Sequence, residues 1–343
     1  MKREILFVDD EPNVLQGLQR MLRPLRDVWS VQFAEGGAAA LKMMAEHRFD
    51  VVVSDMRMPG MSGSQLLSAV RDRHPEVIRI ILSGQSEKEF ILEAVTAAHQ
   101  FLSKPCEAEV IKATITRACL LRDGVSSPGA QAVASSLKSL PVNPVVYAEL
   151  CEQLTSDGAP LQKVGQTVAG CLGMSAKVLQ LVNSAFFGLP RIVCSPAEAV
   201  VLLGADTMKS LTLSCQVFEP YAGDSQEMAW RDALWASSRD GAARAEARAQ
   251  AKGLDARAVQ AAVTAELLRD CGKLVLASQM PEAYAQVRER APLLGWSAAE
   301  REVFGATHGE VGGYLLGLWG LPPAVVDAVI AHSAQDALLA CAA

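Results

Sequence analysis

Acidic, hydroxyl and basic side chains recur in the N-terminal third of this 343-residue chain, each next to a short apolar run. Those that could share one reaction are Asp9, Asp10, Asp55, Ser83 and Lys104. Clustered carboxylates repel one another, a divalent cation relieves that repulsion, and Mg²⁺ takes hard oxygen ligands of this kind. An aspartate in such a site can act as a nucleophile and form an aspartyl phosphate. A lysine and a hydroxyl group would then stabilise the charge of the transferred phosphoryl group.

The runs that carry these residues predict a parallel sheet. Over residues 4–122 they alternate with segments of helical periodicity, and they read EILFV, VWSVQF, VVVS, IRIILS and HQFLS. Five strands alternating with five helices indicate a doubly wound α/β fold, with helices on both faces of the sheet. Sites in such folds lie at the carboxyl ends of the strands, which is where all of these side chains are expected.

Helical periodicity dominates beyond residue 133, which predicts an all-α second domain. The stretch before it reads RDGVSSPGAQA, and its Gly, Ser, Pro and Ala content predicts a linker. We therefore expect a first domain at 1–122, a linker at 123–132 and a helical domain at 133–335.

Two helix starts in the second domain are predicted from local spacing. Ser195 followed by Pro196 has the pattern of an N-cap with proline at the first helical position. Ser297 and Glu300 have the spacing of a capping box.

Composition excludes several classes of protein. The net charge is −6 and aromatic residues make up only 5% of the chain, so no nucleic-acid partner is expected. None of the eight cysteines forms a CxxC pair, as in a cytoplasmic protein with reduced thiols. The N-terminus MKREILFVDDE is unlike a signal peptide, and the uncharged stretch 311–326 is too short to span a membrane. We expect a cytoplasmic protein with no membrane partner.

Residues 3–122 resemble the receiver domain of two-component response regulators, on the motifs ILFVDDEP, VVVSDMRMPGMSG, IILSGQ and FLSKP. The resemblance implies a flavodoxin-like five-stranded sheet and phosphorylation of Asp55 by a sensor histidine kinase. It also implies that Mg²⁺ is bound directly by Asp10, Asp55 and the backbone carbonyl of Arg57, with Asp9 acting through a water molecule.

The same resemblance assigns the remaining receiver residues. Ser83 and Lys104 would hold the phosphoryl oxygens, and Phe101 stands at the position of the family's switch aromatic, although it could equally be a core residue of strand five. The bond before Pro105 is expected to be cis. A homodimer is left open, through the face formed by helix four, strand five and helix five at about 87–122.

Residues 133–332 resemble the HDOD family, a relative of the metal-dependent HD and HD-GYP phosphohydrolases. The motifs are SLPVNPVVYAEL, LVNSAFFG, AVVLLG, LLRDCGKLVL, FGATHGEVGGYLLGLWGLP and AVIAHS. The resemblance implies a degenerate hydrolase site formed by Ser237, Arg269, Asp270, His308 and His332. The glycines after His308 match no phosphate-binding pattern and predict close helix packing instead.

Two of these positions depart from the catalytic relatives. Ser237 and Arg269 stand where those enzymes have histidine ligands, and arginine stays protonated and cannot ligate a metal. No cofactor is therefore expected in this domain. We expect Arg269 to pair with Asp270 in place of the metal charge, and Asp270 to form a buried hydrogen bond with His308.

The two resemblances predict a response regulator in which phosphorylation of Asp55, with Mg²⁺, controls a non-catalytic HDOD domain. That domain would bind a protein partner that the sequence does not identify. The alternative is a phosphorylation-controlled cyclic di-GMP phosphodiesterase of the HD-GYP type, which the absence of a GYP triplet disfavours.

Overall fold

The computed structural model describes residues 2–84, 94–156, 160–184, 187, 189, 191–214, 217–221 and 225–340. The chain forms two compact units, of which the first contains residues 1–122 and the second contains residues 123–183 and 189–343. No described helix combines the length and the apolar character needed to cross a membrane.

A five-stranded parallel sheet forms the centre of the first unit and confirms the predicted fold. Its strands are β1 (Arg3–Asp9), β2 (Trp29–Glu35), β3 (Val51–Asp55), β4 (Ile78–Ser83) and β5 (Gln100–Ser103). Their order is β2-β1-β3-β4-β5, and every pairing is parallel. The β-branched residues Val51, Val52 and Val53 are buried, as expected for a central strand covered on both faces.

Helices pack on this sheet. They are α1 (Pro12–Leu22), which continues into a 3₁₀ turn (Arg23–Leu25), α2 (Gly37–Glu46), α3 (Gly63–Arg73) and α4 (Ala108–Gly124). In α1, Leu15, Leu18 and Leu22 are buried because their spacing of three and four residues places them on one helix face. The predicted helix between β4 and β5 falls on residues 85–93, outside the described residues, as does part of the dimer face at about 87–122.

The second unit is mainly helical, which confirms its predicted class. Its helices are α5 (Pro128–Ser136), α6 (Pro144–Thr155), α7 (Leu161–Ala169), α8 (Leu172–Val182), α9 (Pro196–Leu203), α10 (Ala205–Lys209), α11 (Ser225–Ala251), α12 (Ala256–Leu268), α13 (Cys271–Gln279), α14 (Pro281–Leu294), α15 (Trp296–Phe304), α16 (His308–Leu318) and α17 (Pro323–Ala340). A π-helical turn spans Ser210–Ser214, and two short strands, β6 (Pro141–Val142) and β7 (Glu219–Pro220), pair in parallel.

Most of the stretch predicted to be a linker, residues 123–132, is helical. Helix α4 continues to Gly124, and α5 begins at Pro128. The Ser127 side chain accepts a hydrogen bond from the backbone N–H of Ala130, so Ser127 is the N-cap and Pro128 takes the first helical position. Ser-Pro followed by alanines therefore starts a helix here.

Of the two predicted helix starts, one is confirmed and one is wrong. Ser195 caps α9 by accepting from the backbone N–H of Glu198 at 3.3 Å. Ser297 does not cap α15, which begins after Gly295 at φ +81°, a conformation that favours glycine. The capping box in this region is formed by Thr307 and Glu310 at the start of α16.

Candidate functional site

Three of the predicted receiver residues meet at the carboxyl edge of the sheet. Lys104 Nζ donates to Asp9 Oδ2 at 2.8 Å and also donates to Asp55 Oδ1. Asp9 is only 2% exposed, so the lysine compensates a carboxylate that water barely reaches. A cation thus bridges the residues that end β1 and β3, although Lys104 is distant from both in sequence.

The charge state of this site follows from burial and from the lysine. Burial raises the pKa of Asp55 above its usual range, although Lys104 and the backbone N–H of Arg57, 2.6 Å from Oδ2, act in the opposite direction. For Lys104 burial lowers the pKa, but its hydrogen bonds to Asp55 and Asp9 outweigh this and raise it. The lysine therefore stays charged at neutral pH, with its ammonium group held at the Asp55 carboxylate.

The other predicted receiver residues lie around this contact. Ser83 ends β4 next to Leu82, which pairs with Asp55 in the sheet register, and its side chain is buried. Asp10 and Arg57 are exposed, and Phe101 is buried in β5. The predicted cis bond between Lys104 and Pro105 is confirmed.

The residues at this edge are of the chemical type that binds a magnesium ion, although no group of three or more such side chains is placed as a metal site within the described residues. Asp9 and Asp55 supply two carboxylates that already share one cationic partner, and the exposed Asp10 follows Asp9 in the chain. Carboxylate and carbonyl oxygens are the donors that Mg²⁺ takes in proteins, usually only one or two carboxylates together with water. Asp9, Asp10, Asp55 and the Arg57 carbonyl are the groups that could hold it.

Helix α3 begins directly against the backbone of Asp55. A Cβ atom at Gly63 would lie 2.1 Å from the carbonyl oxygen of Asp55, and the Gly63 N–H donates to the carbonyl of Met56 at 2.9 Å. The carbonyl of Asp55 also accepts from Ser54 Oγ at 2.8 Å. Only glycine leaves room for this approach, so Gly63 fixes the backbone on which the Asp55 carboxylate is carried.

Replacing Gly63 with alanine is expected to displace the Asp55 backbone. We expect the free energy of unfolding to fall by about 1–3 kcal/mol, the usual cost of overpacking, and phosphorylation by acetyl phosphate to slow. Urea unfolding and a labelling time course measure the two effects. Gly17→Ala is the matched control, since no atom lies within 4 Å of its new Cβ and alanine favours the helix interior. Equal behaviour of the two variants would contradict this role of Gly63.

In the second unit, Arg269 is the centre of a polar cluster at the junction of α12 and α13. Its Nε lies 3.1 Å from Asp270 Oδ2, its Nη1 lies 2.6 Å from Glu266 Oε1, and its Nη2 donates to Ser237 Oγ at 3.1 Å. Lys273 Nζ lies 2.7 Å from the second oxygen of Asp270. The predicted pairing of Arg269 with Asp270 is present, and both oxygens of this buried carboxylate have a cationic partner.

The predicted hydrogen bond between His308 and Asp270 is wrong. His308 Nε2 lies 3.9 Å from Asp270 Oδ1, beyond hydrogen-bond distance. His308 instead bonds to Glu300, with Nδ1 and the backbone N–H at 2.6 and 2.7 Å from Oε2. Glu300 is fully buried, and sequence spacing assigned it only a capping role. His332 lies on α17 and is partly buried.

Close helix packing explains the glycines of this region, as predicted. A Cβ atom at Gly272 would lie 1.9 Å from the carbonyl oxygen of His308, and one at Gly312 would lie 2.7 Å from the sulfur of Cys271. Helices α13 and α16 therefore approach backbone to backbone. This approach brings Asp270 and His308 to the same junction without a hydrogen bond between them.

Two family models match the chain. The first, "Response regulator receiver domain", matches residues 5–116, and the second, "HDOD domain", matches residues 140–335. The fold and the acidic edge of the sheet agree with the first match. The chain therefore belongs to the HDOD family and carries an N-terminal receiver domain, which makes it a two-component response regulator.

Curated relatives match less than half of this chain. The hydrogenase transcriptional regulatory protein HoxA of Cupriavidus necator is 33% identical over 116 residues, which are 33% of this chain and 23% of HoxA. The probable transcriptional regulatory protein NarL of Mycobacterium tuberculosis is 32% identical over 158 residues, which are 45% of this chain and 72% of NarL. This chain thus spans about a quarter of the length of HoxA.

Two solved structures are also similar to parts of this chain. The receiver domain of an HD domain-containing protein from Pseudomonas fluorescens is 31% identical, with a TM-score of 0.33, and the match covers 35% of this chain and 95% of that one. The MmoQ response regulator from Methylococcus capsulatus is 26% identical, with a TM-score of 0.49, and the match covers 56% and 75%.

Proposed function

We propose that Asp55 accepts a phosphoryl group from a sensor histidine kinase, the usual donor to receiver domains. The observation that carries this proposal is the contact of one lysine, Lys104, with both Asp9 and Asp55 at the carboxyl edge of the sheet. Such a contact places a fixed positive charge beside the carboxylate that would attack.

In the transfer, an Asp55 oxygen forms a bond to phosphorus while the bond from phosphorus to the donor's histidine nitrogen breaks. Lys104 neutralises charge on the phosphoryl oxygens, and the Ser83 hydroxyl donates a hydrogen bond to one of them. The N–H of Arg57 holds the second Asp55 oxygen and so orients the first. A magnesium ion held by Asp9, Asp10, Asp55 and the Arg57 carbonyl would supply further charge neutralisation.

Lys104 also connects the acceptor to strand β5. After phosphorylation, Asp55 carries the phosphoryl oxygens to which Lys104 and Ser83 bind, so the ends of β4 and β5 would move together. Phe101 lies on β5, and α4 follows that strand and continues to Gly124, past the end of the first unit. A new charge acting on such an element is the general form of a phosphorylation switch.

Replacing Lys104 with alanine is expected to abolish the conformational response to phosphorylation while leaving Asp55 able to be phosphorylated. Asp55 remains available as a nucleophile, so labelling by acetyl phosphate continues, but the change in hydrogen exchange over residues 100–124 on phosphorylation is lost. Lys112→Ala is the matched control, because that side chain is 45% exposed and lies on α4. A full exchange response in Lys104→Ala would contradict the proposed role.

We propose further that the HDOD domain acts by binding a protein partner and does not hydrolyse phosphodiesters. Arg269 supports this, because its guanidinium already pairs with Asp270 and Glu266, carboxylates that a metal centre would require. Lys273 adds a second cation at Asp270. Two resident cations would repel a divalent ion at this position.

An assay on cyclic di-GMP with Mn²⁺, Fe²⁺ or Mg²⁺ tests this proposal. We expect no turnover from purified protein. Turnover that is lost in Asp270→Ala and kept in Asp55→Asn would establish the phosphodiesterase alternative. A partner that co-purifies differently with and without beryllofluoride would identify the output of the domain.

A further inference from the structure

We propose that a basic groove on the first unit, remote from Asp55, binds a nucleotide. The groove lies between the end of α1, the 3₁₀ turn and the start of β2, and its volume is about 500 Å³. The residues that define the basic groove are Arg20, Arg23, Arg26, Trp29, Val31 and Phe33. None of them takes part in the acceptor site.

The three arginines form a row because of the local backbone. Arg20 and Arg23 are three residues apart at the end of α1, where that spacing places side chains on one helix face. The chain then continues as a 3₁₀ turn, in which residues three apart eclipse one another, so Arg26 follows Arg23 along the same line. Three exposed guanidinium groups therefore point along one edge of the groove.

No carboxylate compensates this row. Within the residues that the structure describes, none of the three guanidinium groups forms an ion pair, and Arg20 Nε donates only to the backbone carbonyl of Gln16, at 3.3 Å. Cations at a helix C-terminus interact favourably with the helix dipole, so the row needs no carboxylate partner to be stable. In a chain whose net charge is −6, this local positive charge can attract a polyanion. Guanidinium groups bind phosphate in a bidentate manner.

The groove also has an apolar wall, which strand β2 forms. Trp29, Val31 and Phe33 alternate along β2 and so share one face of the strand, and the Phe33 ring stacks on Phe7 with centroids 6.0 Å apart. Trp29 is buried, so the part of this wall that a flat apolar body can reach is formed by the half-buried Val31 and Phe33, with the arginines placed to meet its phosphates. The volume suits a small ligand, since such pockets measure about 300–1,000 Å³. Aromatic wall, arginine edge and size together favour a nucleotide over a free phosphate ion.

The arginine end of the groove and the acceptor lie at opposite ends of the sheet, although the groove extends along β2 to Phe33, which pairs with Phe7, two residues before Asp9. In the β1–β2 register Trp29 pairs with Arg3, whereas Asp9 pairs with Glu35. Six residues of strand separate these pairs, roughly 20 Å at about 3.3 Å per residue. Nucleotide binding can therefore be measured independently of phosphorylation.

Calorimetric titration of the full-length protein in EDTA tests the proposal, because EDTA removes Mg²⁺-dependent binding at the acceptor. We expect ATP or GTP to bind more tightly than pyrophosphate, and adenosine to bind least. Arg20→Gln/Arg23→Gln should lower the ATP affinity about tenfold or more. Because the substituted arginines are exposed and form no ion pair among the described residues, the Tm of the unliganded variant should change little. Arg48→Gln, an exposed arginine outside the groove, should bind ATP as the wild type does.

A second variant tests the aromatic wall. Phe33→Leu should weaken ATP binding and leave pyrophosphate binding unchanged. Equal affinity for ATP and pyrophosphate in the wild type would overturn the nucleotide assignment in favour of a simple anion site. Unchanged ATP affinity in the double arginine variant, or tighter binding to anionic lipid vesicles than to ATP, would overturn the site itself.

Discussion

Asp55→Asn is expected to abolish phosphorylation of the protein by acetyl phosphate and Mg²⁺. An amide cannot act as the nucleophile, and the nearest buried carboxylate, Asp9, is already bound by Lys104 and by the N–H of Glu11 at 2.9 Å. Intact-mass spectrometry of wild type and variant measures the effect. One phosphoryl group should be added to the wild type and none to the variant, and EDTA should prevent labelling of the wild type.

Asp72→Asn is the matched control for this experiment. The same substitution is made in the same domain, but the Asp72 side chain is 65% exposed and, among the residues that the structure describes, pairs only with its neighbour Arg71. It should be labelled at the wild-type rate. Labelling of Asp55→Asn at that rate would show that another residue accepts the phosphoryl group.

The second large effect is expected at Asp270. Removing this carboxylate leaves Arg269 and Lys273, both mostly buried, without their shared partner. Breaking a buried pair from one side costs about 3–5 kcal/mol, and we expect the free energy of unfolding of Asp270→Ala to fall by that amount in urea. Glu266→Ala is the control, because the Glu266 side chain is 30% exposed and its removal should cost no more than about 1 kcal/mol. Equal losses of unfolding free energy in the two variants would contradict the larger contribution assigned to Asp270.

The same carboxylate gives this stability a pH dependence. Burial would raise the pKa of Asp270, but the charges of Lys273, His308 and Arg269 outweigh burial and lower it to about 2. Because the folded pKa lies below the ordinary aspartate value of 3.8, this contribution to stability is present above pH 3.8 and is lost as the pH falls towards 2. The stability difference between wild type and Asp270→Ala should shrink over that interval.

Sequence patterns predicted the parts of the molecule that depend on local order. The sheet followed from the β-branched run Val51–Val53 and its neighbours, and the acceptor edge followed from which residues end each strand. The start of α9 followed from Ser195 and Pro196, since a cap involves neighbouring residues only. The helix at Pro128 was missed because Ser, Pro and Gly occur both in linkers and at helix starts.

The contacts that sequence patterns did not predict depend on tertiary packing. Glu300 bonds to His308 because α15 meets the start of α16 there, and its local spacing with Ser297 indicated a different role. The ion pair of Lys273 with Asp270 was not predicted either, because a lysine three residues after an aspartate is common on helix surfaces. The arginine row in the basic groove depends on the 3₁₀ turn after α1, which the helical pattern did not predict.

Hydrogen exchange of the full-length protein with and without beryllofluoride tests the central claim most directly, namely that phosphorylation of Asp55 controls the HDOD domain. Beryllofluoride mimics the phosphoryl group on Asp55, so Asp55→Asn serves as the control that cannot respond. We expect exchange to change over residues 100–136 and within the helical domain of the wild type, and to stay constant in the variant. Identical exchange outside the receiver domain in both states of the wild type would contradict the account.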